Sequence, residues 1–103
     1  MSDLVKVGVK KDFPENRTTA VKANGLDLCV ARWSGGFYAF DEYCTHAAAT
    51  LADVDIEEGV ITCPLHGAKF SISTGAALTL PAVEPVKMYE VKTEGEEVFV
   101  KIN

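Results

Sequence analysis

Hydrophobic and polar residues alternate with a period of two over several stretches of the chain. Val5, Val7 and Val9 alternate with Lys6 and Gly8, Leu26, Leu28 and Val30 with Asp27 and Cys29, and Val98, Val100 and Ile102 with Phe99 and Lys101. Successive side chains of a strand point to opposite faces, so this period predicts β-strands with one buried face. Turn signals fall between the strands. Asn24-Gly25 stands between residues 18–23 and 26–33, and both residue types tolerate the positive φ of a two-residue type I′ hairpin. Ser34-Gly35-Gly36 leads from Trp33 into residues 37–40, and Glu94-Gly95 joins 86–93 to 96–102. No segment carries an apolar stripe at helical spacing. The fold class expected is all-β, with antiparallel strands in a sandwich or barrel.

From residue 41 to about residue 85 the alternation breaks. This stretch holds both histidines of the chain, two of its three cysteines, and Pro64 and Pro81. It is long for a plain loop, so something other than its own apolar core must hold it, and a metal centre is the candidate. The rest of the composition narrows the function. A chain of 103 residues has room for one domain, expected over 1–103. It is 48% hydrophobic and 24% charged, as globular domains are. Ten Lys and Arg against fifteen Asp and Glu give a net charge of −5. A nucleic-acid binder needs a basic patch, and an anionic membrane surface needs one too. Residues 1–10 contain no apolar core of a signal peptide, and no apolar run approaches the roughly 20 residues of a membrane span. The expectation is a soluble cytoplasmic protein with reduced thiols. There, cysteines close to histidines point to a metal before a disulfide.

Cys44-Thr45-His46 and Cys63-Pro64-Leu65-His66 are two Cys/His pairs with sixteen residues between them. Four N and S ligands would satisfy one tetrahedral zinc ion. Zinc motifs, however, usually group cysteines in one arm and histidines in the other. Here each arm carries one of each, which suits two metals, each taking one ligand from each arm, and thiolate with imidazole is chemically right for iron.

Cys44-Thr45-His46 and Cys63-Pro64-Leu65-His66-Gly67 resemble the two signature boxes of Rieske [2Fe–2S] proteins. The resemblance covers almost the whole chain, from Val5-Lys6-Val7 through Phe37-Tyr38-Ala39, Phe70 and Gly75 to residues 86–92 and 98–101. At this length the chain is similar to the small ferredoxins of bacterial ring-hydroxylating dioxygenase systems. The resemblance implies the Rieske fold, an antiparallel β base with a cluster-binding subdomain inserted at about 41–81. It implies one [2Fe–2S] cluster, with Cys44 and Cys63 on one iron and His46 and His66 on the other. It also implies a function in aromatic hydrocarbon catabolism: one-electron transfer from an NAD(P)H-dependent flavin reductase to a terminal oxygenase, by a carrier that is not itself an enzyme. A monomer is the simplest expectation for a shuttle.

Two ferric ions, two sulfides and two thiolates sum to zero charge, so the neutral-imidazole cluster accepts an electron more readily than a four-cysteine one. Potentials of about −150 to +300 mV follow, against about −400 mV for plant-type ferredoxins. High-potential members of the family carry Ser and Tyr hydroxyls after the second box and brace the loops with a disulfide. The matching positions here are Ala68 and Phe70 for the hydroxyls and Ala49 and Leu65 for the disulfide. Without those donors to the sulfurs the expected potential is roughly −150 to −100 mV. Without the disulfide, residues 41–85 are expected to be partly unfolded in the apo protein. Pro81 falls where the family has a proline-bearing loop over the cluster, although a strand-entry proline would read the same.

Other residues receive plainer readings. Cys29, in phase with Ala31 and Trp33, is expected to be an inert packing thiol. Trp33 is expected in the core or at a hairpin edge, Tyr43 packed over the cluster loop, and Lys69 solvated. Residues 41–60 hold Asp41, Glu42, Asp53, Asp55, Glu57 and Glu58 and no Lys or Arg. That run either keeps a surface solvated or steers a basic partner. Both histidines are spent on the boxes, leaving no mononuclear iron site and no nucleophile–base pair. Two other readings stand beside the dioxygenase ferredoxin: a Rieske subunit of another redox system, such as the small subunit of a nitrite reductase, and a structural zinc domain.

Overall fold

The computed structural model describes residues 4–43, 49–64, 67–79 and 84–102. The strands are β1 (Leu4–Val9), β2 (Arg17–Ala23), β3 (Leu26–Trp33), β4 (Gly36–Asp41), β5 (Val60–Thr62), β6 (Lys69–Ser71), β7 (Met88–Tyr89), β8 (Val91–Glu94) and β9 (Glu97–Lys101). A 3-10 turn, Lys10–Asp12, is the only helical element among the described residues. The all-β expectation holds. The strands pair antiparallel in three sheets, ordered β1-β9-β8, β2-β3-β4-β7 and β5-β6.

The hairpins follow from their turn residues. Asn24 and Gly25 take φ of +51° and +83° between paired Ala23 and Leu26, as a type I′ turn requires. Ser34 and Gly35 do the same at +53° and +80°. Gly36 is already paired with Trp33 in β4, so this loop has two residues and not the three expected. At the last hairpin the turn is Gly95-Glu96, one residue later than expected, with Glu94 opposite Glu97.

The four-stranded sheet is covered on both faces. Leu28, Val30 and Ala39 face one core, closed by Val98 and Val100 of the three-stranded sheet and by Phe13. Cys29, Ala31 and Phe40 face a second core, shared with Leu51, Ile56, Ile61, Cys63, Ala68, Phe70, Ile72 and Val86. Alternation along β3 predicts one buried face, but residues 28–31 are all fully buried. Cys29 and Ala31 are small enough to let the β5–β6 side approach closely. Leu26, expected inside, is exposed, because it lies at the hairpin tip.

Two further expectations change. Residues 86–93, read as one strand, divide between sheets: β7 pairs with β4, and β8 pairs with β9. Tyr89 and Val91 both pack on the first core, so the chain crosses from sheet to sheet at Glu90 while keeping one apolar side inward. The patternless stretch contains the β5–β6 hairpin. Its sequence signal was the β-branched run Val60-Ile61-Thr62, too short for alternation to stand out.

Candidate metal centre

The second Cys/His box grows out of β5. Glu57 and Val60 exchange backbone hydrogen bonds of 2.9 and 3.0 Å across a tight turn, in which Glu58 and Gly59 have φ of +52° and +78°. At φ of +78°, a Cβ on Gly59 would lie 3.0 Å from the Trp33 ring, so glycine lets this turn rest closely on the indole. β5 then delivers Cys63 to the core. The Cys63 N–H donates to the Ala68 carbonyl at 2.7 Å, and the Gly67 N–H donates to the Cys63 carbonyl at 3.0 Å. The loop is thereby closed at its base. Cys63, Ala68 and Phe70 have no exposed surface, and Cys63 is a free thiol.

The first box leaves β4 through Glu42 and Tyr43. Tyr43 forms an antiparallel bridge with Thr50, and the Leu51 N–H donates to the Glu42 carbonyl at 2.7 Å. The Thr50 hydroxyl donates to Glu42 Oε2 at 2.7 Å and accepts from the Ala52 N–H at 3.0 Å. This loop too is closed at its base. Ala49 and Leu51, on its returning arm, pack in the same apolar cluster as Cys63, Ala68 and Phe70. Segments separated in sequence thus place the feet of both boxes on one buried core. Cys44, His46, Leu65, His66 and Pro81 lie outside the described residues. Among the described residues no group of three or more His, Cys, Asp or Glu is gathered for a metal.

The donor chemistry fits an iron–sulfur group. Cys63 is a buried soft donor with no disulfide partner, seated beside the apolar Ala68 and Phe70. The chain's two histidines can come only from the boxes. Two thiols and two imidazoles would make a four-ligand set of the mixed kind used by Rieske centres.

The surroundings sort the remaining candidates. Cys29 is fully buried in the core that holds Cys63, and burial pushes its thiol up from 9.0 to about 12. It stays a protonated packing residue. Trp33 packs against that core as expected. Tyr43 is 48% exposed and bridges Thr50 through its backbone, and the loop it is expected to cover lies outside the described residues. Lys69 is exposed, with its ammonium donating to Thr62 Oγ1 at 3.1 Å. The Tyr89 hydroxyl donates to Asp41 Oδ1 at 2.7 Å. Burial first, and then this bond, raise the phenol to about 12.

The acidic run is less bare than its sequence. Arg17 of β2 forms an ion pair with Asp55 at 2.6 Å and donates to the Asp53 carbonyl at 2.7 Å. Lys69 shares a surface cleft with Glu57 and Glu58. Asp53, Glu57 and Glu58 remain exposed. A second contact that sequence could not reveal is Thr18, whose buried hydroxyl joins β2 to Leu51 and Val54.

The comparisons with known proteins agree with this arrangement. The family described as "Rieske [2Fe-2S] domain" matches residues 3–90. The ferredoxin component of the naphthalene 1,2-dioxygenase/salicylate 5-hydroxylase systems of Ralstonia sp. is 40% identical over 91 residues, 88% of each chain. The ferredoxin of carbazole 1,9a-dioxygenase from Nocardioides aromaticivorans IC177 superposes with a TM-score of 0.89 at 33% identity, covering 97% of this chain and 98% of that one. A chain from a complex of reduced oxygenase and oxidized ferredoxin in carbazole 1,9a-dioxygenase matches equally well, with a TM-score of 0.89 at 31% identity, covering 98% of this chain and 94% of that one. With its two Cys/His loops footed on one core and the domain matched over most of its length, the chain belongs to the Rieske [2Fe-2S] family.

Proposed function

We propose that this chain is the ferredoxin of an aromatic ring-hydroxylating dioxygenase system, a one-electron carrier holding a single Rieske [2Fe–2S] cluster. Cys44 and Cys63 would hold one iron, and His46 and His66 the other, within a cluster-binding unit at about 41–81. When bound, the cluster stores one electron. The chain's part is to hold it and keep water from it: the closed loops fix the ligands, and Ala68 and Phe70 present apolar surface beside Cys63. Ala68 and Phe70 carry no hydroxyl where high-potential members carry Ser and Tyr, which favours a low potential. Electrons would arrive from an NAD(P)H-dependent flavin reductase and leave to a terminal oxygenase. Relatives of that kind are carriers, and substrate oxidation belongs to the oxygenase. We place the carrier in the cytoplasm as a monomer. Among the described residues no helix is long and apolar enough to cross a membrane. The observation that carries this reading is that residues flanking both boxes, Ala49 and Leu51 on one side and Ala68 and Phe70 on the other, share one buried core with the free thiol of Cys63.

The test is iron, zinc and acid-labile sulfide per chain on anaerobically purified protein, followed by EPR after reduction. About two irons and two sulfides with a rhombic signal averaging below the free-electron g value are expected. One zinc without sulfide would leave the ligands standing and remove the electron.

A further inference from the structure

Cys29 and Cys63 are both free, so no disulfide among the described residues fastens the first Cys/His loop. Noncovalent contacts must hold it. The returning arm of that loop, residues 50–56, is laid along the outer edge of β2. The Thr18 N–H donates to the Val54 carbonyl at 3.0 Å, the Asp53 N–H to the Thr18 carbonyl at 3.0 Å, and the Ile56 N–H to the Asn16 carbonyl at 2.8 Å. At the centre of this seam is the Thr18 side chain, 1% exposed and the one buried polar residue among those described. Its hydroxyl donates to the Leu51 carbonyl at 2.6 Å and accepts from the Val54 N–H at 3.0 Å. One oxygen thus fixes two points of the arm, one of them next to Thr50. Thr50 in turn ties the arm to the outgoing strand through Glu42.

We propose that Thr18 is a positioning residue for the cluster. Its hydroxyl, in series with the Thr50–Glu42 hydrogen bond, fixes the returning arm of the loop whose residues 44 and 46 are the first pair of ligands. The inference rests on Cys44 and His46 being ligands. The hydroxyl is suited to this work because it is buried, where a hydrogen bond is not exchanged with water, and because it bonds backbone, which cannot rotate away. A threonine on an edge strand would otherwise do no more than pair side to side. The Thr18 hydroxyl is engaged by Leu51 and Val54, so its effect on the centre passes through the arm.

The test uses the holoprotein and three variants, Thr18→Val, Thr18→Ser and Thr50→Val. Valine keeps the shape of threonine and removes the hydroxyl, and serine restores it. Each protein is reduced for EPR and then challenged with an iron chelator, while hydrogen exchange of β3 amides monitors the base of the fold. Thr18→Val is expected to shift or broaden the g values and release iron several-fold faster with β3 protection retained, and Thr18→Ser to return both towards the parent. Should Thr18→Val fail to fold, Thr50→Val, at an exposed position, carries the same expectation for spectrum and release. A Thr18→Val or Thr50→Val protein with parental g values and release rate would overturn the brace. So would equal effects of valine and serine at position 18. A parent without iron and sulfide would overturn the cluster assignment itself, and is distinguished by being seen before any substitution.

Discussion

Phe70 is fully buried on β6, opposite Ile61 and in the same core as Cys63. A hydroxyl added to its ring has two fates. If it reaches a sulfur of the centre it stabilises the extra negative charge of the reduced state. If it does not, a buried polar group is left without a partner, at a cost of about 1–3 kcal/mol. Phe70→Tyr is expected to raise the reduction potential by tens of millivolts with little loss of stability. Direct electrochemistry with denaturant unfolding separates the two fates, and a stability loss at constant potential would point the ring edge away from the sulfurs. Residue-scale chemistry also sets an alkaline limit. Burial holds the Cys29 thiol up from 9.0 to about 12. Burial and the Asp41 bond hold the Tyr89 phenol up from 10.0 to about 12. In those windows the unfolded chain has lost protons that the folded chain keeps, so the free energy of unfolding falls as pH rises. Stability is therefore expected to be level below pH 9.0 with respect to these groups and to decline from there towards about 12. Urea midpoints across that range check it, with a shallower decline in Tyr89→Phe.

At the scale of elements, the cluster side of the molecule depends on short turns with little freedom. Gly75 ends the turn after β6, where its N–H donates to the Ser71 carbonyl at 2.8 Å and its carbonyl accepts from the Val86 N–H at 2.9 Å. Its φ is +80°, and a Cβ there would sit 2.6 Å from the Val86 carbonyl oxygen. Gly25 has a similar φ of +83°, and a Cβ there would meet nothing within 4 Å. The pair separates backbone conformation from close approach. Gly25→Ala is expected to cost about 1 kcal/mol, the left-handed penalty alone. Gly75→Ala is expected to cost about 3 kcal/mol or more, because the Val86 backbone must also move. Equal shifts of the denaturant midpoint would show that Val86 yields freely. The turn residues of β2–β3 and β3–β4 were legible in sequence because Asn-Gly and Ser-Gly-Gly state a φ preference locally. The division of residues 86–93 between β7 and β8 was not, because alternation continues unbroken across Glu90 while the pairing partner changes from β4 to β9.

Over the whole molecule, charge is segregated. Six of the fifteen acidic residues and none of the ten Lys and Arg fall within 41–60, which also holds the first box. Folding partly offsets that field by bringing Arg17 onto Asp55 and Lys69 beside Glu57 and Glu58. What remains exposed at Asp53, Glu57 and Glu58 can still steer a basic partner, since redox encounters bury little area and rely on long-range attraction. Neutralising Asp53, Glu57 and Glu58 to Asn and Gln is expected to slow reduction by the proposed flavin reductase at low salt and flatten its dependence on ionic strength. Stopped-flow rates over a salt series measure this, and an unchanged slope would make the run a solvated surface only. Asp55 is left intact in that experiment so that its ion pair with Arg17 is not confounded with steering.

The residue pattern alone was enough for the all-β class, the β2–β3 and β3–β4 hairpins, and the kind and spacing of the Cys and His residues in the two boxes. These are short-range properties: the pleat imposes a period of two, positive φ selects Asn and Gly, and ligand chemistry belongs to the residue type. Only the tertiary structure decided that both faces of β3 are buried, that Cys29 shares a core with Cys63, and that the feet of the two boxes meet there. It alone set Arg17 on Asp55 and the Thr18 hydroxyl on Leu51, partners 38 and 33 residues apart. Such contacts depend on which sheet faces which and on where an arm comes to lie along an edge strand. No window of the sequence records that, because the energy that selects it is the burial and hydrogen bonding of the whole assembled chain.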